Sequence, residues 1–309
     1  MMSPPGHQGR VWPAPLDGQE TARTPHGAVV AGIDGSGSAV RAAVWAGAEA
    51  LRWGRPLRLV QVYALPQVHV PIAVGTHEQV RAGLTERAEG WLAEARTAVL
   101  AESPGLEIGT AAREWSPVAA LVQESRHAEL VVLGSRGLGG FTGMLVGSTA
   151  VSVVAHACCP IVVVRGRRPQ DPPPLTGPVI AGADGSSDSD GALAFACEQA
   201  RLRGVPLTVV HASNDAEIEQ AERARLTDQV SAWQDKFPSL TIDLDVTRGR
   251  PARRLLEHAK HAQLIVVGCR GRGGFTGMLL GSTSQALIVH SPCPVAVVRS
   301  QDARSEETR

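Results

Sequence analysis

The chain repeats itself. Gly134-Ser-Arg-Gly-Leu-Gly-Gly-Phe-Thr-Gly-Met-Leu-Val-Gly-Ser-Thr149 returns almost unchanged as Gly268-Cys-Arg-Gly-Arg-Gly-Gly-Phe-Thr-Gly-Met-Leu-Leu-Gly-Ser-Thr283. Upstream, Val30-Ala-Gly-Ile-Asp-Gly-Ser36 matches Ile180-Ala-Gly-Ala-Asp-Gly-Ser186, and downstream Cys159-Pro-Ile-Val-Val-Val-Arg165 matches Cys293-Pro-Val-Ala-Val-Val-Arg299. Three matches in the same order mean that a whole domain is duplicated, and the period is far too long for a solenoid. The segment 166–177, with Arg167-Arg168-Pro169 and Pro172-Pro173-Pro174, cannot continue a helix and reads as a semi-rigid linker. The expected organisation is therefore a disordered N-terminal extension at 1–26, domains at 27–165 and 178–300, and a charged tail at 301–309.

Two domains also suit a length of 309 residues. Apolar residues make up 43 % and aromatics only 4 %, so the cores must be aliphatic, as in buried parallel strands covered by helices. The formal net charge is +0, which gives no basic footprint for nucleic acid. No apolar run reaches the roughly 18–20 residues of a membrane span. The Pro- and Gly-rich start has no apolar stretch of the secretory kind. The five cysteines, Cys158, Cys159, Cys197, Cys269 and Cys293, have no zinc spacing and read as reduced thiols of a cytoplasmic protein.

Periodicity gives the same element order in each half. In the first, strands are expected at Val29–Ile33, Leu57–Tyr63, Ile108–Ala111, Leu130–Leu133 and Ile161–Val164. Between them lie helices capped by Ser36 or Ser38, over His77–Leu100, after Ser116-Pro117, and over Gly147–His156. The interval Asp34–Gly134 is 100 positions and Asp184–Gly268 is 84. The extra length is expected in a loop near Pro66–Gly75. Strands alternating with helices imply an α/β fold with a parallel sheet covered on both faces.

The glycine segment carries the chemistry. It follows a strand and precedes a helix in both halves. Glycines let a ligand approach the backbone closely, successive N–H groups can form an anion nest, and the following helix offers free N–H groups and a positive dipole end. Candidate ligand-binding residues are Gly134, Ser135, Arg136, Gly137, Gly140, Gly147, Ser148 and Thr149, and their counterparts Gly268, Cys269, Arg270, Gly271, Gly274, Gly281, Ser282 and Thr283. The loop after strand one adds Gly32 and Asp34, and Gly182 and Asp184, at the carboxyl ends of the strands where open α/β sheets bind ligands. Other phosphate loops fit worse. A GxxxxGK[ST] loop needs a lysine, yet the two lysines, Lys236 and Lys260, lie in helical stretches. A dinucleotide GxGxxG after strand one is not met by Gly185-Ser186-Ser187.

Both copies meet the pattern G-x2-G-x9-G-[ST], as Gly134/Gly137/Gly147/Ser148 and Gly268/Gly271/Gly281/Ser282. With the Gly-x-Asp of Gly32–Asp34 and Gly182–Asp184, the arrangement resembles the universal stress protein family in its tandem form. That resemblance implies a doubly wound, open, parallel five-stranded sheet of order 3-2-1-4-5 in each half. It also implies ATP, or ADP or AMP, on the glycine loop, Mg²⁺ arriving with the nucleotide, and adenine near Val62 and Ala212 at the end of strand two. The family often has His where this chain has Gln61 in the first half and His211 in the second.

The expected function is nucleotide-dependent regulation in a stress response, with one adenine-nucleotide site per domain. A slow Mg-dependent ATPase or nucleotidyl-transfer enzyme is the alternative, and an empty scaffold a third. No Ser/His/Asp ordering repeats, so no catalytic residue is assigned. His156 and His290 are read as compensating helix dipoles, and Phe141 and Phe275 as covering or packing under the loop. The fifth strands, apolar and at a sheet edge, should pair the two domains. A homodimer of the chain is expected as well, with neither nucleic acid nor membrane as a partner.

Overall fold

The computed structural model describes residues 24–65, 74–137, 146–168, 170–213, 219–271 and 279–299. The first half contains β1 (Val29–Ile33), α1 (Gly37–Trp53), β2 (Leu57–Tyr63), α2 (Val74–Glu102), β3 (Ile108–Glu114), α3 (Pro117–Glu124), β4 (Leu130–Gly134), α4 (Ser148–His156) and β5 (Ile161–Val164). The second half contains β6 (Val179–Gly182), α5 (Ser187–Arg203), β7 (Leu207–Ser213), α6 (Glu219–Lys236), β8 (Ile242–Arg248), α7 (Pro251–Ala259), β9 (Leu264–Gly268), α8 (Ser282–His290) and β10 (Val295–Val298). The chain already packs on the first half at Thr24, which is buried and donates to the Glu124 carboxylate.

Each half has the strand order 3-2-1-4-5, with parallel pairing throughout. The two sets of strands are continuous. They form one ten-stranded sheet, β3-β2-β1-β4-β5-β10-β9-β6-β7-β8. The junction is its one antiparallel step, with Val163 opposite Val295 and Ile161 opposite Val297. Both junction strands are four-residue aliphatic runs, buried along their whole length, and such a bare edge is stable only when paired.

Because successive strand residues point to opposite faces, the sheet feeds two cores. Val29, Ala31 and Ile33 face one layer with residues of α1, α2, α5 and α6. Val30, Val131 and Leu133 face the other with residues of α3, α4, α7 and α8. Both cores cross the junction, one through Val162 and Ala296, the other through Val163 and Val295.

The helical layer at the seam carries a buried polar cluster. Glu49 of α1 is wholly buried and ion-paired with Arg203 of α5. The Arg203 guanidinium lies 5.4 Å from the Trp45 ring centroid and donates to Gln263 Oε1 at 2.8 Å. At the equivalent positions of the other half, Trp53 meets Phe195 edge-on at 6.0 Å.

The extra length of the first half is not mainly a loop: α2 has 29 residues and α6 has 18. Beyond the expected bounds of 77–100, α2 gains residues 74–76 at its start and 101–102 at its end. Among the described residues no helix is long and apolar enough to cross a membrane. All five cysteines are free. Burial pushes the Cys197 thiol up to about 12 and the Cys293 thiol to about 11, which leaves both protonated and unreactive near neutral pH.

Candidate functional site

In both halves three loops meet at the carboxyl ends of the strands. After β1 the chain makes a short turn into α1. Ser36 caps that helix, its Oγ accepting from the Ala39 N–H at 3.1 Å. The Ser36 N–H donates to Asp34 Oδ1 at 3.0 Å, and the Ser36 hydroxyl donates to the Arg136 carbonyl at 3.1 Å. The turn is thereby tied to the glycine loop a hundred residues later. A Cβ on Gly137 would overlap Asp34 Oδ2, so glycine there lets the carboxylate lie against the loop backbone.

The helix after the loop starts differently from α1. Gly147 sits at the N-cap of α4 in an extended conformation and supplies no side-chain cap. Its own N–H is used to close the loop onto the Ser135 carbonyl at 2.9 Å. The N–H groups of the first turn, from Ser148 onward, have no intrahelical partner, and Ser148, Thr149 and Ala150 line the cavity. An anion placed there gains roughly 0.3–2 kcal/mol per charge from the helix end. Among the described residues, no atom would lie closer than 3.9 Å to a Cβ on Gly147, so none of them packs into the space the glycine leaves.

The second half repeats the arrangement with altered parts. Ser186 caps α5, Asp184 Oδ1 accepts from the Ser186 N–H at 3.0 Å, and Gly271 lies against Asp184 Oδ2. Gly281 is the uncapped start of α8, its N–H bound to the Cys269 carbonyl at 2.9 Å.

Each arrangement surrounds a cavity. The first, about 680 Å³, includes Gly32, Asp34, Val62, Gly134, Arg136, Gly137, Gly147, Ser148 and Thr149 in its lining. The second, about 430 Å³, includes Gly182, Asp184, Ala212, Gly268, Arg270, Gly271, Gly281, Ser282 and Thr283. The sequence reading missed the apolar floor: Val60, Leu121 and Leu133 in the first half, Val210, Leu255 and Val267 in the second. It also missed Trp91, which walls the first cavity from α2. Leu121, Leu255 and Trp91 reach the site from helices distant in sequence, while Val60, Leu133, Val210 and Val267 lie in the strands that lead to it, where nothing local tells a cavity position from a core one.

Several site expectations need correction. The side chains of Ser135 and Cys269 are buried beneath the loops and line neither cavity. Only their carbonyls serve the site, since strand alternation sends the residue after β4 or β9 away from the preceding glycine. A Cβ on Gly134 would meet Ser38 Oγ at 2.8 Å, and one on Gly268 would meet the Asp188 backbone at 2.9 Å. These two glycines admit the first turn of α1 or α5, and they also line the cavities. The glycine-loop positions described also do without left-handed backbone, which the preceding turns use at Gly35 and Gly185. Gly140, Gly274, Phe141 and Phe275 lie outside the described residues.

Among the described residues, the electrostatics of the two sites differ at the position beneath the glycine loop. The first half has Ser38, whose Oγ accepts the Arg136 N–H at 3.4 Å. The second half has Asp188, nearly buried, which accepts the Arg270 N–H at 3.0 Å and lies 3.8 Å from its guanidinium Nε. At the strand-two position His211 is buried and its Nδ1–H donates to the Ala183 carbonyl at 2.7 Å. Gln61 instead donates to the Val62 carbonyl at 3.3 Å and leaves its buried Oε1 without a partner among the described residues.

A doubly wound sheet with a glycine loop leading into a helix without a side-chain cap, present twice, defines a class: tandem α/β proteins with one glycine-lined cavity per half. The sequence profile of the universal stress protein family matches residues 26–165 and 176–299. A universal stress protein of Mycolicibacterium smegmatis is 36 % identical over 288 residues, 88 % of this chain and 96 % of its own length. One of Mycobacterium tuberculosis is 36 % identical over 295 residues, covering 90 % and 98 %. The solved structure of a universal stress protein from Archaeoglobus fulgidus superposes with a TM-score of 0.69 at 23 % identity, covering 88 % of this chain and 98 % of that one. The chain belongs to the universal stress protein family.

Proposed function

We propose that each half binds one adenine nucleotide, ATP or its ADP or AMP products, and that the chain acts as a nucleotide-dependent regulatory protein in a stress response. The observation that supports this most is the uncapped helix start at Gly147, and again at Gly281, facing the same cavity as Asp34 or Asp184. The polar side suits phosphates and ribose, and the floor of Val60, Leu121 and Leu133 suits a flat base beside Val62. Glycine space and the N–H donors of the helix start fit a phosphate chain.

Mg²⁺ fits as a companion of the nucleotide, not as a resident ion. No group of three His, Cys, Asp or Glu residues could hold a metal among the described residues. Mg²⁺ commonly takes one or two carboxylates together with phosphate oxygens and waters, and Asp34 and Asp184 are placed to give one each. These aspartates are the acidic side chains in the cavity linings, and in each Oδ1 is held by a turn N–H. That arrangement favours orientation of a ligand over proton abstraction.

The domain pair is taken as the functional unit, its halves held through the fifth strands, in the cytoplasm. A homodimer of the whole chain would then use another surface. Measuring phosphate release at saturating ATP and Mg²⁺ tests the regulatory reading. Binding without steady turnover is expected, and multiple turnovers per chain per minute would favour the ATPase instead.

A further inference from the structure

The last turn of a helix leaves carbonyls without intrahelical partners and carries the negative end of the dipole. In α8 these carbonyls are served by Arg165, whose Nη1 donates to the Ile288 carbonyl at 2.6 Å and Nε to the Ser291 carbonyl at 3.0 Å. Arg165 directly follows β5 and belongs to the first half. In α4 the reciprocal contact comes from Arg299, directly after β10 in the second half, whose Nη2 donates to the Ala155 carbonyl. The antiparallel junction explains the crossing: each fifth strand ends beside the other half's last helix.

The helices gripped in this way are the two whose uncapped starts open the cavities. The terminal histidine of α4 does not do this work. His156 is exposed and its Nδ1 pairs with Ser152 inside the same helix at 2.8 Å. Each arginine also lies close to its own half's glycine loop. Arg299 Nη2 is 3.8 Å from Cys269 Sγ. Burial lowers the Arg165 pKa, and the nearby Arg136 guanidinium lowers it further.

We propose that Arg165 and Arg299 are crossed positioning residues: Arg299 holds the helix that opens the first site, and Arg165 holds the helix that opens the second. Each site therefore depends on a side chain supplied by the opposite half. The binding part of this rests on the nucleotide reading above, while the clamp itself does not.

The test uses full-length chains with one working site. Gly281→Val leaves the first site and Gly147→Val the second. Arg299→Met and Arg165→Met, which keep an apolar stem, are then added to each. In the Gly281→Val chain, Arg299→Met weakens ATP binding about fivefold, the scale of a lost cation at a helix end, and Arg165→Met changes it little. In the Gly147→Val chain the order reverses. Lysine restores more at 299 than at 165, because a single ammonium cannot reproduce the fork across two carbonyls. In parallel, deuterium uptake without nucleotide rises in 148–156 for Arg299→Met and in 282–290 for Arg165→Met.

An uncrossed pattern, or equal loss at both sites and both helices, overturns the proposal. If the single-site chains bind no ATP at all, the nucleotide reading falls. Uptake then decides the clamp alone: crossed uptake upholds it, and uncrossed or unchanged uptake overturns it.

Discussion

The two halves build one cradle from different parts. The first surrounds about 680 Å³ with Gln61, Trp91 and Arg136, and has Ser38 beneath the loop. The second surrounds about 430 Å³, has Asp188 beneath the loop, and fixes its strand-two position with the His211 hydrogen bond. What stayed the same is the geometry that a phosphate needs: the glycines at 137 and 271, the uncapped starts at Gly147 and Gly281, and the aspartate against the loop. What changed is charge and volume around it. Duplication has thus left two sites of one class, and the second carries one more buried negative charge.

A further departure between the halves is at the seam, where Glu49 occupies the position that Gln199 holds in the second half. Exchanging it tests whether that asymmetry holds the halves together. Glu49→Gln leaves the buried Arg203 without a carboxylate. Loss of one partner of a buried pair costs about 3–5 kcal/mol, to be read as a drop in urea midpoint. An unchanged midpoint would show that Arg203 is served well enough by Gln199, Gln263 and the Trp45 face.

At the sites themselves, Gly147→Val should abolish one binding event per chain and Gly281→Val the other, each by about a hundredfold, or roughly 2.7 kcal/mol. Neither should lower the melting temperature much, since among the described residues a Cβ at Gly147 has no neighbour closer than 3.9 Å and one at Gly281 makes only ordinary contact at 3.4 Å. Titration calorimetry beside thermal denaturation separates the two effects. Gly134→Ala, by contrast, should cost stability through its contact with Ser38.

The charge difference predicts a smaller, signed effect. Asp188→Ser gives the second half the first half's residue and frees Arg270 toward the cavity. It should tighten ATP at the second site by about tenfold at low salt, and the gain should shrink as ionic strength rises. AMP, with less charge, should gain less. Equal gains for both ligands would contradict an electrostatic origin.

The smallest expected effect lies at strand two. Gln61→His allows an Nδ1–H bond to the Ile33 carbonyl, the counterpart of Ala183, and removes the unpartnered Gln61 oxygen. A gain of about 1 kcal/mol is expected, measured by denaturant unfolding, with little change in the second half.

Much of this was legible because it is written in local pattern. The duplication, the order of elements and the turn-forming segments 34–36 and 184–186 need only neighbours in sequence. What was not legible depends on contacts between distant segments. Ser38 and Asp188 can be read off as different residues, but their place under Gly134 and Gly268 requires the strand-four end to pack on the first turn of the first helix. The fork from Arg165 to Ile288 and Ser291 requires the antiparallel register at the junction, so its role fell in the sequence reading to His156 and His290. Trp91 came from a helix whose first turns carry no apolar stripe. The inward Ser135 and Cys269 followed from strand alternation continuing one residue past β4 and β9.

The central claim is that both cradles hold an adenine nucleotide. Equilibrium binding of ATP with Mg²⁺ to the intact chain, read as moles bound per mole of chain and repeated for Gly147→Val, Gly281→Val and the double variant, tests it most directly. The account predicts two, one, one and none. Two equivalents retained by the double variant, or none bound by the unaltered chain, would contradict it.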